Sequence, residues 1–383
     1  MQPLNEFLPQ LISLRKEFHH NPEFSGKEFK TAGLIHKFCL QFKPTRVIEK
    51  LGKTGLAVIF DSGHPGKTVL FRADMDALPI EEDIEVPYTS SIKSLSHKCG
   101  HDGHMAMICG LAFLLHQHPI HKGKVVLLFQ PAEEVGKGAL QILKDPKFKE
   151  IEPDYVFALH NLPGFPRNSI CVREGVFALA SEGVLVRLKG NAAHAAYPDQ
   201  GISPLPAVME LIEKVRHLPD HKRCFQKFVQ LSVTYAKIGQ FGFGTIPGTA
   251  DLALTLRAEL ANDLEQLHTK LVSLVAKTAT QNYLEESFKR YEPFAPTGND
   301  QESVQVIRNV ALRHLFPLIE LKEPLRWSED FGQFTARYKG AIFGLGAGEN
   351  HSDLHTCYYD FPDEILETGI KMFFGITQDL LND

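Results

Sequence analysis

The chain has 383 residues, 43% hydrophobic and 23% charged, with a formal net charge of -5. That is the balance of an ordinary globular protein of about two domains, with neither the basic surface that nucleic acid demands nor an apolar run able to span a membrane. Met1 to Glu6 lack the basic region and apolar core of a signal peptide, and the six cysteines are dispersed, so a reducing cytoplasm is the expected setting.

Leu4 to Phe18 carries apolar residues at helical period, and Pro22 ends that helix by disfavouring helical backbone at Asn21. Glu28 to Phe42 predicts a second helix, and Leu56 to Phe60 a short strand. Four later apolar runs read as buried strands, each leading into a carboxylate or an imidazole. Thr68 to Phe71 runs into Arg72-Ala73-Asp74-Met75-Asp76, and Val125 to Phe129 into Gln130-Pro131-Ala132-Glu133-Glu134. Tyr155 to Leu159 runs into His160, and Ala341 to Leu345 into a glycine-rich loop with His351 and His355. Helical patterns between several of these runs predict an α/β fold, a mostly parallel mixed sheet flanked by helices. Ligands of such sheets bind beyond the carboxyl ends of the strands, so separate segments deliver Asp, Glu and His to one edge.

From about residue 182 the texture changes. Gly183 to Lys189, Gln230 to Ile238 and Ala250 to Glu259 alternate as strands, and Pro204 to His217 and Leu264 to Tyr283 read as helices. This order predicts an inserted α+β domain over residues 182–292, with an antiparallel sheet and helices on one face. Residues 1–181 and 293–383 then form the larger, discontinuous domain.

The densest chemistry is His97-Lys98-Cys99-Gly100-His101-Asp102-Gly103-His104, just before a helix-period run. Thiolate and imidazole are ligands for borderline-soft divalent ions, and a helix start beside Cys99 favours its thiolate. The adjacent Glu133 and Glu134 can divide labour, one binding metal while the other serves as base toward an activated water. Asp76 is placed to orient an imidazole.

Ordinary explanations compete at each position taken alone. The Glu pair reads equally as solvated acids at a helix start, Asp76 as a turn cap, and His160 as a strand-end histidine. His194 and His355 read as exposed loop residues, and spacing leaves His351 in competition with His355. His97 and His104 are ambiguous, and His19, His20, His116, His118 and His121 read as structural or exposed.

Together these stretches resemble the M20 family of metallopeptidases, in its amidohydrolase branch of hippurate hydrolases, N-acyl-amino-acid amidohydrolases and plant auxin-conjugate hydrolases. The resemblance rests on Phe71 to Pro79, Lys98 to His104, Phe129 to Glu134, Leu159-His160-Asn161 and Leu354-His355-Thr356. Leu14-Arg15-Lys16-Glu17-Phe18-His19 and Pro296 to Asp300 agree as well. It implies two divalent metal ions (zinc, manganese, cobalt or nickel) held by Cys99 as bridge with His101, Glu134, His160 and His355. Tyr358 to Phe361, at the family's spacing, select His355 over His351. It further implies Glu133 as general base, Asp76 as an orienting residue, and His194 as a lid residue contacting the scissile carbonyl oxygen. The implied substrate is a small N-acyl amino acid, and the implied assembly a homodimer through the lid domain.

Two departures stand out: Ala192 and Ala193 where the family usually has glycines, and Gly244-Thr245-Ile246-Pro247 where many members have Asn-Val-Ile-Pro. Three other functions compete: deacetylation of a biosynthetic intermediate such as N-acetyl-diaminopimelate, metal or peptide binding without catalysis, and thiol redox sensing through Cys99. The presence of Glu133 argues against the second, and survival of activity under chelation would mark the third.

Overall fold

Apolar residues at helical spacing put Phe7, Leu11, Leu14 and Phe18 on the buried face of the first helix, α1 (Leu4–His20). The helix stops at Asn21, whose N–H caps the carbonyls of Glu17 and Phe18 just before Pro22. The computed structural model describes residues 2–220 and 224–382. The second helix, α2 (Phe29–Cys39), is shorter than its periodicity predicts, because the chain tightens into a 3₁₀ turn and leaves through Lys43 at φ 52.

The chain continues through β1 (Arg46–Leu51), β2 (Gly55–Asp61), β3 (Thr68–Asp74), α3 (His101–Gln117), β4 (Lys124–Gln130), α4 (Gly138–Lys144), β5 (Tyr155–Pro163), β6 (Ile170–Val172) and β7 (Gly175–Ala178). Next come β8 (Ala180–Lys189), β9 (Ala193–His194), α5 (Leu205–Val215), β10 (Val229–Ile238), β11 (Thr245–Ile246), β12 (Thr249–Ala258), α6 (Ala261–Gln281) and β13 (Glu285–Phe294). It ends with β14 (Thr297–Asn299), α7 (Gln301–Arg313), β15 (Leu318–Glu320), α8 (Gly332–Thr335), β16 (Lys339–Gly348) and α9 (Leu366–Leu381). Two compact units result. One comprises Met1–Phe177, Thr297–Glu323 and Asp330–Asp383, the other Ala178–Pro296 and Pro324–Glu329.

The first unit is built on an eight-stranded sheet in the order β1-β2-β4-β3-β5-β16-β6-β15. The central strands β4, β3, β5 and β16 are mutually parallel, whereas β1–β2, β2–β4 and β16–β6 are antiparallel. Val69, Phe71, Val125, Leu127, Phe157 and Phe343 enter one core with α1, α3 and α9. The alternate residues Leu70, Val126, Leu128, Val156 and Ile342 are equally buried, which is why these strands read as unbroken apolar runs. Helix α3 is buried on nearly every side. No helix among the described residues is long and apolar enough to cross a membrane.

The second unit holds a four-stranded antiparallel sheet, β10-β12-β8-β13. Leu252, Leu254 and Leu256 of β12 and Val184, Val186 and Leu188 of β8 face a core completed by Val208 and Leu211 of α5 and Leu267, Leu271 and Val275 of α6. The sequence predicts no strand at β13: it is the outer strand, rich in charge (Glu285, Glu286, Lys289, Arg290) and mostly exposed, so no period-2 apolar signal marks it. The outer strand β1 escapes prediction similarly, with the burial pattern of a half-exposed edge.

Candidate metal centre

Because β4, β3, β5 and β16 run parallel, their carboxyl ends share one edge of the sheet, and the chemistry collects there. Asp74 closes β3 and Asp76 follows, Glu133 and Glu134 follow β4, His160 lies on β5, and His355 sits in the loop after β16. Cys99 and His101 arrive at the amino end of α3.

Glycine makes that last arrival possible. Gly100 caps α3 at φ 97, a conformation L side chains rarely adopt, and a Cβ there would lie 2.3 Å from Asn161 Oδ1. Two other residues hold left-handed backbone at the site, His355 at φ 62 and Ala132 at φ 53. Such conformations cost about 1–3 kcal/mol each and persist where surrounding structure enforces them. The His355 N–H donates to the Lys98 carbonyl at 2.8 Å, and the Ala132 carbonyl accepts from Lys137 and Gly138. The Glu pair therefore lies in a turn before α4, not at a helix start, with Glu133 buried.

Cys99 Sγ lies 3.4 Å from His160 Nε2 and 3.3 Å from His355 Nε2. His101 Nε2 is 3.7 Å from Glu134 Oε1, and His355 Nε2 is 3.8 Å from Glu134 Oε2. Bond lengths of about 2.0–2.3 Å in a tetrahedral sphere put neighbouring ligand atoms roughly 3.3–3.7 Å apart, so these separations suit shared coordination. Possible ligand atoms lie within 4.8 Å of one another in each of three overlapping groups: Cys99 with His101 and His160, Cys99 with Glu134 and His355, and His101 with Glu133 and Glu134.

The imidazoles are set for the task. His101 Nδ1–H donates to the Asp76 carbonyl at 2.9 Å and His160 Nδ1–H to the Asn161 carbonyl at 2.9 Å, which turns His101 Nε2 toward Glu134 and His160 Nε2 toward Cys99. His101 Nε2 and Glu134 Oε1 are buried polar atoms without a hydrogen-bond partner. A buried polar atom left without a hydrogen bond is costly in a protein interior, and a divalent cation that displaces the protons of this pair would satisfy both. The donor set of one thiolate, three imidazoles and carboxylate oxygen thus fits a pair of such ions.

Electrostatics reflect the crowding of charged side chains at the site. Burial pushes the Glu134 carboxyl up, and Asp76 and Asp74 add to it. Burial opposes charge on His101, but Asp74, Asp76 and Glu134 outweigh it and raise its pKa. Burial, reinforced by His104, drives His160 well below the usual range. The half-exposed His355 is also held below its usual value, by partial burial and by the neighbouring His101.

The other candidates fall as follows. The Asp76 carboxylate lies 3.7 Å from His101 Nδ1, but its closer partners are the N–H groups of Glu133 and Glu134, at 3.1 Å each, and Ser25 Oγ at 2.6 Å. Asp76 therefore holds the carboxylate turn with its side chain and His101 with its backbone. His351 Nε2–H donates to the Asp360 carbonyl at 2.7 Å. His104 is buried between Asp74 at 2.7 Å and Asn161 at 2.6 Å. His194 belongs to the second unit, where it is exposed and its Nδ1 accepts from the Ala196 N–H at 3.1 Å. Both departures from the family pattern fall beside it on one ladder: β9 pairs with β11, placing His194 opposite Thr245 and Ala193 opposite Ile246.

Sequence reasoning assigned no role to Asp74, Arg72 or Asp330. Asp74 Oδ2 lies 3.5 Å from His101 Nε2. Buried Arg72 bridges Asp74 at 2.6 Å and Asp330 at 2.9 Å, and the Asp330 N–H reaches Glu133 Oε1 at 3.4 Å. The available signal is Arg72 and Asp74 at strand spacing, four and two residues before Asp76.

Residues 70–379 match the profile of Peptidase family M20/M25/M40. The chain is 31% identical to the N-acetyl-L-cysteine deacetylase of Bacillus subtilis, over 91% of this chain and 83% of that protein. It is 30% identical to the hippurate hydrolase of Campylobacter jejuni, over 96% of this chain and 97% of that one. Its fold matches a dinuclear metal binding peptidase of the M20 family from Bacillus subtilis with a TM-score of 0.83 at 24% identity, covering 99% of both chains. The chain thus belongs to peptidase family M20/M25/M40, a family of amide-bond hydrolases.

Proposed function

We propose that this protein is a metal-dependent amidohydrolase that cleaves the amide of small N-acyl amino acids. The observation that carries it is the pair of buried atoms His101 Nε2 and Glu134 Oε1, 3.7 Å apart and without a hydrogen-bond partner, beside a cysteine flanked by two imidazoles. Cys99, His101, Glu134, His160 and His355 would hold two divalent ions, which when bound lower the pKa of water and polarise the amide carbonyl. Glu133 takes the proton of the attacking water and returns it to the leaving nitrogen. Asp76 aims both glutamates through their N–H groups. His194 donates to the carbonyl oxygen as negative charge grows on it.

Relatives named for hippurate and N-acetyl-L-cysteine support an N-acyl amino acid. A narrower reading, N-acetyldiaminopimelate, is favoured by a Bacillus subtilis deacetylase of that name at 28% identity over 96% of this chain. The homodimer belongs to the same proposal; β10 is an outer strand whose Tyr235 is 50% exposed, and light scattering tests it. The deciding experiment supplies metal-free protein with zinc, manganese, cobalt or nickel and assays N-acetyl and N-benzoyl amino acids beside N-acetyldiaminopimelate. Turnover of several substrates supports the broad reading, and of N-acetyldiaminopimelate alone the narrow one. No turnover with any metal overturns both.

A further inference from the structure

The segment Leu14-Arg15-Lys16-Glu17-Phe18-His19 has no part in the chemistry above. Yet Arg15 and His19, one helical turn apart on α1, are both fully buried. Burying charge is costly unless it is paired, so their partners carry the meaning. His19 lies between two carboxylates, with Nδ1 2.9 Å from Asp102 Oδ2 and Nε2 2.7 Å from Glu82 Oε1. Ionised carboxylates only accept, so a neutral imidazole would satisfy one and turn a lone pair toward the other. Each carboxylate also has a second cation: Arg15 Nη1 at 3.3 Å from Asp102, and Lys98 Nζ at 2.7 Å from Glu82. Those cations keep both acids ionised, which assigns the remaining proton to the ring.

We propose that His19 is a positioning residue protonated at neutral pH, an imidazolium that fastens the Cys99–His101 turn and the His355 loop to α1 by bridging Asp102 and Glu82. The bridge reaches three of the candidate ligands through the backbone. Asp102 follows His101 in the first turn of α3. Glu82 grips Lys98, the neighbour of Cys99, and Lys98 also donates to the Tyr359 carbonyl at 2.7 Å and accepts the His355 N–H at 2.8 Å. Arg15 extends the cluster to Asp360 and Asp363, at 2.9 Å each. The other titratable groups facing His19 are Asp360 at 3.9 Å, the Tyr88 ring and His97. Burial alone would lower His19, but the bonds to Asp102 and Glu82 outweigh it and hold the ring at about 9. His19 touches no substrate; it acts on where the ligands stand.

The inference rests on the metal site proposed above, and two measurements separate their fates. The first uses metal-free wild-type protein labelled with ¹⁵N-histidine, with His19 assigned by backbone correlations. Both ring nitrogens are expected to be protonated at pH 7.5, and a ring protonated on one nitrogen overturns the inference. The second measures Zn²⁺ affinity by chelator competition. His19→Gln should bind zinc roughly 10–100-fold more weakly, the usual penalty for losing support behind a ligand. Adding Glu82→Gln removes the charge left unbalanced and should restore most of that loss. A double variant no better than the single one overturns the inference, since mere packing would not be rescued. Wild-type protein that takes up no zinc overturns the proposed function and leaves the first measurement to decide the charge on His19. If His19→Gln fails to fold, that measurement again decides.

Discussion

Replacing Gly103 with alanine sets two effects of similar size against each other. In an exposed helix, Gly→Ala stabilises by about 1 kcal/mol. Gly103 lies in the first turn of α3 facing Phe361, and a Cβ there would meet three ring carbons at 2.2, 2.3 and 2.4 Å. Ordinary contact begins near 3.4 Å, so the overlap exceeds 1 Å. The ring has nowhere to go: Phe361 is 2% exposed, and its N–H is bonded to Asp360, which Arg15 also holds. Overpacking of this kind costs about 1–3 kcal/mol, so it cancels the helix gain and leaves a net loss of up to about 2 kcal/mol, toward the upper end because the buried ring cannot yield. Relief requires a shift of either α3, which carries His101, or the segment after His355. Urea unfolding should show a lower midpoint at unchanged slope, and metal analysis a lower zinc content. A variant as stable as wild type, or more so, with full metal content would refute the reasoning.

Glu133→Gln should lower turnover roughly 10²–10⁴-fold while keeping metal, whereas Glu134→Gln should lose metal; the opposite pattern in metal analysis reverses the two roles. Cys99 should resist alkylation in metal-loaded protein and react after chelation, and equal labelling rates would argue against ligation. His194→Ala should keep its metal and lose roughly 10²–10³-fold in kcat with a smaller change in KM, measured by steady-state kinetics. His19, raised from 6.5 to about 9 by its carboxylate partners against the pull of burial, should make stability depend on pH. Its contribution of roughly 3 kcal/mol is fully present below about pH 6.5 and is lost as pH rises through about 9; urea unfolding should show that loss in wild type and not in His19→Gln, and parallel pH profiles would count against it.

What the sequence by itself determined was local and periodic. The central strands are buried on both faces, so β3, β4, β5 and β16 announced themselves as apolar runs, and their parallel order followed from the helices between them. The candidate ligands were legible because metal chemistry restricts residue type and because α/β sheets put such residues at strand ends. Edge strands were not legible: β1 and β13 owe their conformation to a neighbour's hydrogen bonds, and a charged, half-exposed strand carries no pattern of its own.

Tertiary structure decided what each polar residue does. His351 and His355 lie in the same loop, yet one bonds to a main-chain carbonyl and the other faces Cys99. Asp74 and Asp76 share a strand end, yet one sits against Arg72 and His104 and the other holds the glutamate turn. His19, which read as structural or exposed, lies between carboxylates far along the chain, and Arg15 reaches a partner 348 residues away. The physical reason is range. Periodicity is set by neighbours within a turn or a strand, whereas a buried charge takes its role from whichever partner the fold brings within hydrogen-bond reach.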